Sequence, residues 1–224
     1  MIKAILWDND GVLVDTEGLY FQATREILSR VGVALTQEMY AEYLLKHGKS
    51  VWHLAADKGA SPEEVKHLRR ERNSVYERLL RQGSTLVDGV EETLANLHGK
   101  FMMGIVTSSR PEHFEVIHQK TGLLRYFDFV ITSLYYTNFK PDPEPYLVGL
   151  ERTGYETEEC VVIEDSARGL TAANAAGIRC LVIPNGLAPI EDFAAAHMIL
   201  NDISDVTPEL LESLKRRIID ESEK

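Results

Sequence analysis

The chain has 224 residues, 44% of them hydrophobic, and its 35 acidic against 24 basic residues give a formal net charge of -11. This length and composition predict a globular protein with one large domain, or with a core domain that carries a smaller insertion. The acidic balance argues against nucleic acid as a partner, although a local basic pocket for a phosphorylated small molecule remains compatible with it.

The first predicted element is a buried strand over Ile2 to Trp7, an apolar run that ends at Asp8 and is followed by the turn residue Gly11. From Glu17 to about Gln82 apolar residues recur at three- and four-residue steps, which predicts helices throughout. Within that stretch Ser61-Pro62-Glu63-Glu64 has the sequence of a strong helix start. The sequence therefore predicts an all-helical insertion directly after the first strand.

After Gly89 short apolar strands alternate with helices, which predicts an α/β fold with a doubly wound parallel sheet. We assign residues 1–15 and 88–224 to this core domain and residues 16–87 to the inserted domain. The predicted later strands are Met102 to Val106, Phe129 to Ile131, Cys160 to Ile163 and Ile178 to Ile183. The predicted later helices are Val90 to Leu97, Pro111 to Lys120, Glu144 to Thr153, Ala167 to Ala176 and Glu209 to Ile219.

The two cysteines, Cys160 and Cys180, lie in or beside apolar runs and lack the close spacing of a metal or redox motif. They are typical of small core residues in a reducing compartment. The N-terminus has no signal-peptide pattern, and no apolar stretch reaches membrane-spanning length. We therefore expect a cytoplasmic protein that has no membrane partner.

Two aspartates, Asp8 and Asp10, follow the first strand at a spacing of two residues. Residues i and i+2 share one face of an extended chain, so both carboxylates can face one pocket at the end of the strand. Ligands of open α/β sheets bind at that edge. Close carboxylates repel each other, and a bound cation is the usual remedy.

Three later strand ends carry residues suited to phosphoryl chemistry. A hydroxyl at a strand-to-helix turn suits an oxyanion, a lysine on a proline-stiffened loop holds an ammonium group in place, and a second acidic pair adds oxygen ligands. These residues are Thr107 with Ser108 and Ser109, Lys140 in Phe139-Lys140-Pro141-Asp142-Pro143, and Glu164 with Asp165. Their order, each after a strand of the same predicted sheet, indicates one shared site.

Together these residues resemble the four motifs of the haloacid dehalogenase superfamily, over essentially the whole chain. The strings Asp8 to Glu17, Lys140-Pro141-Asp142-Pro143 with Tyr146, and Glu164-Asp165-Ser166 with Gly169 are similar to the subgroup that has a helical cap after the first motif. That subgroup includes phosphoglycolate-type phosphatases, sugar phosphatases and β-phosphoglucomutase. The resemblance implies a Rossmann-like core and an inserted cap domain.

The resemblance further implies a Mg²⁺-dependent phosphatase acting on a small phosphorylated metabolite, such as a sugar phosphate or phosphoglycolate. Asp8 would be the nucleophile that becomes an aspartyl phosphate, and Asp10 the general acid and then base. The ligands of Mg²⁺ would be the Asp8 carboxylate, the Asp10 backbone carbonyl and Asp165, with Glu164 nearby or acting through water. The phosphate-binding residues would be Gly11, Thr107, Ser108 and Lys140.

The helical insertion would then close over the substrate and supply specificity contacts. The candidates are Tyr20 and two lysines, Lys46 and Lys49, in the polar loop Lys46-His47-Gly48-Lys49-Ser50. Either lysine is a candidate to hold a carboxylate or a second phosphate on the substrate, and the alternative is that both are solvated surface residues. We expect a monomer or a small homo-oligomer.

Other functions stay open at this point. A β-phosphoglucomutase-like activity is weakened because Val51 and Tyr20 stand where that enzyme type has an arginine and a histidine. A metal-free dehalogenase is opposed by Asp10 and the Glu164/Asp165 pair. The remaining alternatives are a phospho-acceptor signalling module and a non-catalytic binding protein.

Overall fold

The computed structural model describes residues 1–83 and 85–214. The strands are β1 (Ala4–Trp7), β2 (Val14–Asp15), β3 (Thr85–Leu86), β4 (Met102–Val106), β5 (Phe129–Ile131), β6 (Cys160–Glu164), β7 (Arg179–Val182) and β8 (Met198–Ile199). The α-helices are α1 (Glu17–Ser29), α2 (Gln37–Tyr40), α3 (His53–Ala56), α4 (Pro62–Gln82), α5 (Val90–Leu97), α6 (Pro111–His118), α7 (Glu144–Thr153), α8 (Ala167–Ala175) and α9 (Pro208–Ser213). A π-helix, Ala41–Lys46, continues α2.

A six-stranded parallel sheet, in the order β5-β4-β1-β6-β7-β8, forms the centre of the core. Alternate residues of β1 enter different hydrophobic clusters: Ile5 and Trp7 pack on one face of the sheet, and Ala4 and Leu6 on the other. All four are fully buried, as expected for a central strand of a doubly wound sheet. The predicted α/β fold is confirmed, and β1 lies between β4 and β6, where chemistry-bearing loops meet.

Residues 16–83 are mainly helical, as predicted, and have their own hydrophobic cluster around Phe21, Trp52 and Leu68. The predicted start of α4 is confirmed: Ser61 and Glu64 form a reciprocal capping box with Pro62 in the first turn. This helical layer packs on the core mainly through α4 against α6. The residue boundaries proposed for a separate inserted domain stay a prediction.

The structure departs from the predicted elements in several places. The insertion is joined to the core by an antiparallel ribbon of β2 and β3, two residues each, which are too short to give a strand pattern. The edge strand β8 was not predicted for the same reason. Helix α6 ends at His118, two residues early, and α9 begins at Pro208, while residues 215–219 of that predicted helix lie outside the described residues. Among the described helices, none combines the length and the apolar character needed to span a membrane.

Candidate active site

A buried lysine links the ends of three neighbouring strands. The Nζ atom of Lys140 donates to Asp8 Oδ1 at 2.9 Å, just after β1, and to Glu164 Oε1 at 2.8 Å, at the end of β6. It also donates to the Val106 carbonyl at the end of β4 and to the Tyr146 hydroxyl on α7. Lys140 is only 2% exposed, so its charge is balanced by these acceptors rather than by water. The structure thus brings the predicted Asp8, Lys140 and Glu164 together.

The carboxylate of Glu164 is saturated with protein donors. Oε1 accepts from Lys140 and from the Tyr146 hydroxyl, and Oε2 accepts from the backbone amides of Asp165 and Ser166 and from the Ser166 hydroxyl. Gly169 on α8 makes this arrangement sterically feasible, because a Cβ atom there would lie 1.8 Å from Glu164 Oε1. The primary role of Glu164 in this geometry is to hold Lys140 in place.

Asp10 is surrounded by hydroxyl donors. Its Oδ1 accepts from the Thr16 hydroxyl at 2.5 Å, and its Oδ2 accepts from Ser109 at 2.7 Å and Thr107 at 3.2 Å. The side-chain amide of Asn9 donates to the same Oδ2 at 3.3 Å. A hydroxyl group either donates or accepts, so three of these four partners are able to serve both the ionised and the protonated form of Asp10.

Asp165 follows Glu164 but has a very different environment. Among the described residues, Asn185 Nδ2 donates a side-chain hydrogen bond to its Oδ2 at 2.7 Å, and this oxygen lies against Gly11, where a Cβ atom would be 1.8 Å away. Gly11 has φ of 87°, a backbone conformation that favours glycine. Its amide donates to the Val14 carbonyl at 2.8 Å. In this structure the Gly11 amide is engaged by the protein and Gly11 makes room for Asp165; its role in phosphate binding stays a prediction.

The electrostatics separate these carboxyl groups. Burial is the main cause that raises the pKa of Asp8 to about 7, against the opposing effect of Lys140. Burial, with the charges of Glu164 and Asp8, also raises the pKa of Asp165 well above its ordinary value. Lys140 and the surrounding donors outweigh burial at Glu164 and lower its pKa, and the neighbouring carboxylates raise the pKa of Lys140. Negative charge at Asp8 and Asp165 is therefore undercompensated by the protein.

The residues at this edge fit a divalent cation. Oxygen atoms of Asp8, Glu164 and Asp165 lie within 4.8 Å of one another, and all three residues are buried. A purely oxygen donor set suits Mg²⁺, and the undercompensated charge of Asp8 and Asp165 is the environment that a cation relieves. Because both oxygens of Glu164 already accept hydrogen bonds, Asp8 and Asp165 are the better direct ligands among the three.

The two predicted phosphate-binding residues after β4 lie on the same turn. The Thr107 hydroxyl is fully buried, and it contacts Asp10 and accepts from the Ser109 amide at 3.0 Å. The Ser108 hydroxyl is buried and has no hydrogen-bond partner among the described residues. Buried polar atoms are normally paired, so the Ser108 hydroxyl is available to a bound oxyanion.

The insertion is packed against this site. A Cβ atom at Gly48 would lie 2.6 Å from Pro141 Cδ, so the loop after the π-helix touches the Lys140-Pro141 segment directly. Asp8 is 8% exposed and Lys140 2%, so both side chains have little contact with solvent. Lys46 pairs with Asp192 of the core at 3.0 Å, and a substrate contact at Lys46 stays a prediction. Lys49 is exposed on the same loop.

Tyr20 has a packing role in this structure. Its ring lies edge-on against Tyr76 at 5.0 Å and under the Arg72 guanidinium at 4.1 Å. A specificity contact at Tyr20 stays a prediction. The aromatic and cation contacts come from α4, more than fifty residues away, and were not readable from the local sequence.

Three side chains that the sequence analysis gave no role in the site also lie here. Tyr146 belongs to a sequence string that carried the family resemblance, so a signal existed for it. Asn185 and Arg168 had no such signal: Asn185 contacts Asp165, and the buried Arg168 Nε has no hydrogen-bond partner among the described residues. The negative charges of Glu17 and Asp8 are among the causes that raise the pKa of Arg168, against the opposing effect of burial.

Several known proteins are similar to this chain over most of its length. A sequence profile of haloacid dehalogenase-like hydrolases matches residues 5–183. The chain is 31% identical over 221 residues to a phosphorylated carbohydrates phosphatase of Thermotoga maritima, a match that covers 94% of this chain and 100% of that protein. It is 30% identical to the fructose-1-phosphate phosphatase YqaB of Escherichia coli, over 78% of this chain and 92% of that protein.

Among solved structures, CbbY from Rhodobacter sphaeroides in complex with phosphate is 25% identical and superposes with a TM-score of 0.79, covering 95% of this chain and 100% of that one. A putative β-phosphoglucomutase from Thermotoga maritima is 26% identical with a TM-score of 0.72, covering 94% and 99%. The profile spans well over half of the chain, and the Thermotoga maritima phosphatase covers 94% of it at 31% identity. The chain therefore belongs to the haloacid dehalogenase-like hydrolases, and it is an enzyme of the phosphatase type.

Proposed function

We propose that this protein is a Mg²⁺-dependent phosphatase of a small phosphorylated carbohydrate and works through an aspartyl-phosphate intermediate. The observation that carries the proposal is Asp8, a buried carboxylate at the centre of the sheet edge. Lys140 holds one of its oxygens, and Asp10 and Asp165 lie in the same site. The names of the two phosphatase relatives support a carbohydrate as the substrate class.

In the first step an Asp8 carboxylate oxygen attacks phosphorus and the bond from phosphorus to the leaving oxygen breaks. A proton passes from the protonated carboxyl of Asp10 to that oxygen, so a neutral alcohol departs. The Thr16, Thr107 and Ser109 hydroxyls that contact Asp10 are able to change from donor to acceptor as its proton leaves.

In the second step a water molecule gives a proton to Asp10 and attacks phosphorus, which releases inorganic phosphate and restores the Asp8 carboxylate. Asp10 returns to its protonated form, so the cycle balances. Closure by the Gly48 loop keeps other water away from the phosphoenzyme.

Several residues would bind the transferring phosphoryl group or prepare the site for it. Lys140 lies beside Asp8 Oδ1, where it offers positive charge to the phosphoryl oxygens, and the unpaired Ser108 hydroxyl offers a donor. The carboxylates of Asp8 and Asp165 and the Asp10 backbone carbonyl would hold Mg²⁺, with Glu164 nearby or acting through water. When bound, Mg²⁺ neutralises charge that develops on the phosphoryl oxygens.

The test is phosphate release from a panel of sugar phosphates, phosphoglycolate and p-nitrophenyl phosphate, with Mg²⁺ or with EDTA. We expect Mg²⁺-dependent release, and we expect Asp8→Asn to reduce turnover at least about 10⁴-fold because the amide cannot attack phosphorus. Asp15→Asn is the matched control, since Asp15 is an exposed aspartate of the same N-terminal segment.

Substantial hydrolysis by the Asp8→Asn variant would contradict the assignment of Asp8 as the nucleophile. Full turnover in EDTA would contradict the proposed role of Mg²⁺. If the wild type releases no phosphate from any compound, transfer between positions of a sugar phosphate becomes the better hypothesis. That outcome calls for β-glucose 1-phosphate with a bisphosphate primer. A cytoplasmic location and a monomer or small homo-oligomer stay predictions.

A further inference from the structure

A chain of hydrogen bonds runs from the end of α6 to the Asp10 carboxylate. The His118 Nε2 atom lies 2.7 Å from Asn9 Oδ1, and Asn9 Nδ2 lies 3.3 Å from Asp10 Oδ2. On the other side of the ring, His118 Nδ1 lies 3.0 Å from the Thr121 hydroxyl. The backbone amide of Leu123 in turn donates to that hydroxyl at 3.3 Å. The series crosses from the helix layer to the sheet edge.

The donor and acceptor direction is fixed at every link. The Asn9 carbonyl oxygen can only accept, so His118 Nε2 carries a proton and donates to it. In a neutral ring Nδ1 then has no proton and accepts from the Thr121 hydroxyl, which itself accepts from the Leu123 amide. The orientation of the Asn9 amide then directs an N–H group at Asp10.

The environment of His118 keeps this arrangement in one state. The ring is 6% exposed and packs against Phe114, with ring centroids 4.4 Å apart. Burial lowers the pKa of His118 to about 4, which agrees with a neutral imidazole that carries one proton. Asn9 is fully buried, so its amide has little access to water as an alternative partner.

We propose that His118 is a positioning residue that orients the Asp10 carboxyl through Asn9. The inference rests on the proposed function, in which Asp10 delivers the proton to the leaving group. Of the four groups that contact Asp10, the three hydroxyls can donate or accept, whereas the Asn9 amide can only donate. The Asn9 amide therefore keeps Asp10 Oδ2 in an acceptor role in both protonation states of Asp10. The hydrogen bond from His118 prevents the rotation of the Asn9 amide that would exchange its nitrogen and oxygen.

The test exploits the leaving group. The ratio kcat/KM includes the steps up to departure of the leaving group, so it senses proton donation by Asp10 when the leaving group is an alkoxide. An aryl phosphate such as p-nitrophenyl phosphate needs little protonation. We expect His118→Leu to lower kcat/KM about tenfold on the best alkyl phosphate of the panel, a part of the roughly 10²–10⁴-fold effect of a positioned general acid. On p-nitrophenyl phosphate the change should be small.

Two further variants separate positioning from folding. His118→Gln keeps a side-chain N–H at a similar reach and should restore most of the activity on the alkyl phosphate. His113→Leu is the matched control, because His113 is also 6% exposed on α6 but packs against Tyr76. It should leave the ratio of alkyl to aryl activity unchanged. The double variant Asn9→Ala/His118→Leu should lose no more activity on the alkyl phosphate than Asn9→Ala alone, because both changes interrupt the same series of hydrogen bonds.

The outcomes distinguish the two proposals. If the wild type hydrolyses both phosphates and Asp8→Asn does not, the proposed function holds and only positioning is in question. An unchanged alkyl-to-aryl ratio in a folded His118→Leu protein, or equal losses on both substrates that His118→Gln fails to restore, would overturn the positioning role. A wild type without activity on either phosphate contradicts the proposed function itself.

Discussion

The ends of β1 and β6 each present two acidic residues, but the two pairs are arranged in opposite order. After β1 the first residue, Asp8, has Lys140 as its side-chain partner, while the second, Asp10, accepts four hydrogen bonds. At β6 the first residue, Glu164, accepts five hydrogen bonds, while the second, Asp165, has Asn185. Each strand end thus supplies one well-bonded carboxylate and one that is poorly compensated.

The comparison separates carboxylates that build the site from those that await a ligand. The many donors around Glu164 lower its pKa, whereas burial raises the pKa of Asp8 and of Asp165. A buried charge with few partners is costly unless a cation or substrate completes its environment. Asp8 and Asp165 are therefore the groups best suited to bind and react, and Glu164 is better suited to support them.

The largest expected effect on stability comes from Glu164. Glu164→Gln removes the charge that faces Lys140 and turns an N–H group toward groups that already donate. Breaking a buried ion pair from one side costs about 3–5 kcal/mol of unfolding free energy. Urea denaturation in EDTA measures this loss, and a variant as stable as the wild type would contradict the supporting role of Glu164.

Asp165→Asn is the matched change on the neighbouring residue and should behave in the opposite way. Removing its charge relieves repulsion from Asp8 and Glu164, so the free energy of unfolding in EDTA should stay the same or rise. Stabilisation by added Mg²⁺ should disappear, because a bound ligand stabilises only the folded state that holds it. A loss of stability in EDTA equal to that of Glu164→Gln would remove the distinction between the two residues.

A smaller effect concerns the pH dependence of stability without metal. The pKa of Asp8 rises from 3.8 to about 7 on folding, so the folded state binds this proton more tightly than the unfolded state does. The contribution of Asp8 to the free energy of unfolding is therefore fully present below about pH 3.8 and is lost as the pH rises toward 7. His118 acts in the opposite sense, since folding lowers its pKa from 6.5 to about 4. We therefore expect the slope of the thermal midpoint against pH in EDTA to be more negative between pH 5 and 7 for the wild type than for Asp8→Asn. Parallel curves would contradict the raised pKa.

The smallest effects belong to the lysines of the insertion. Lys46→Ala removes a partly exposed ion pair with Asp192, which should shift stability and KM only slightly because solvent screens such pairs. Lys49→Ala should change the preference among sugar phosphates more than the activity on p-nitrophenyl phosphate. If Lys46→Ala alone abolished discrimination among substrates, the prediction of a substrate contact at Lys46 would gain support.

Much of the core arrangement could be predicted because its logic is local. An apolar strand followed by an acidic pair places Asp8 at a sheet edge, and the alternation of elements places Lys140, Glu164 and Asp165 at the same edge. The capping box at Ser61 is likewise a short-range pattern, and the structure confirms it. These features depend on neighbours in sequence or on the general topology of parallel sheets.

The partners of these residues could not be predicted in the same way. His118 reaches Asn9 across 109 positions, and Lys46 meets Asp192 across the boundary between the insertion and the core. Such pairs depend on the packing of particular helices, which leaves no local periodic signal. The prediction that Lys46 faces a substrate considered only its charge, and nothing in its own loop indicated the acidic residue that engages it.

The lack of a side chain at Gly169 has a genetic consequence. Even an alanine there would place a Cβ atom on the Glu164 carboxylate, which holds Lys140, which in turn holds Asp8. A substitution at Gly169 thus reaches the nucleophile through two intermediate residues. In a screen for inactive alleles, position 169 should be recovered as readily as the reacting residues, although it carries no functional group of its own.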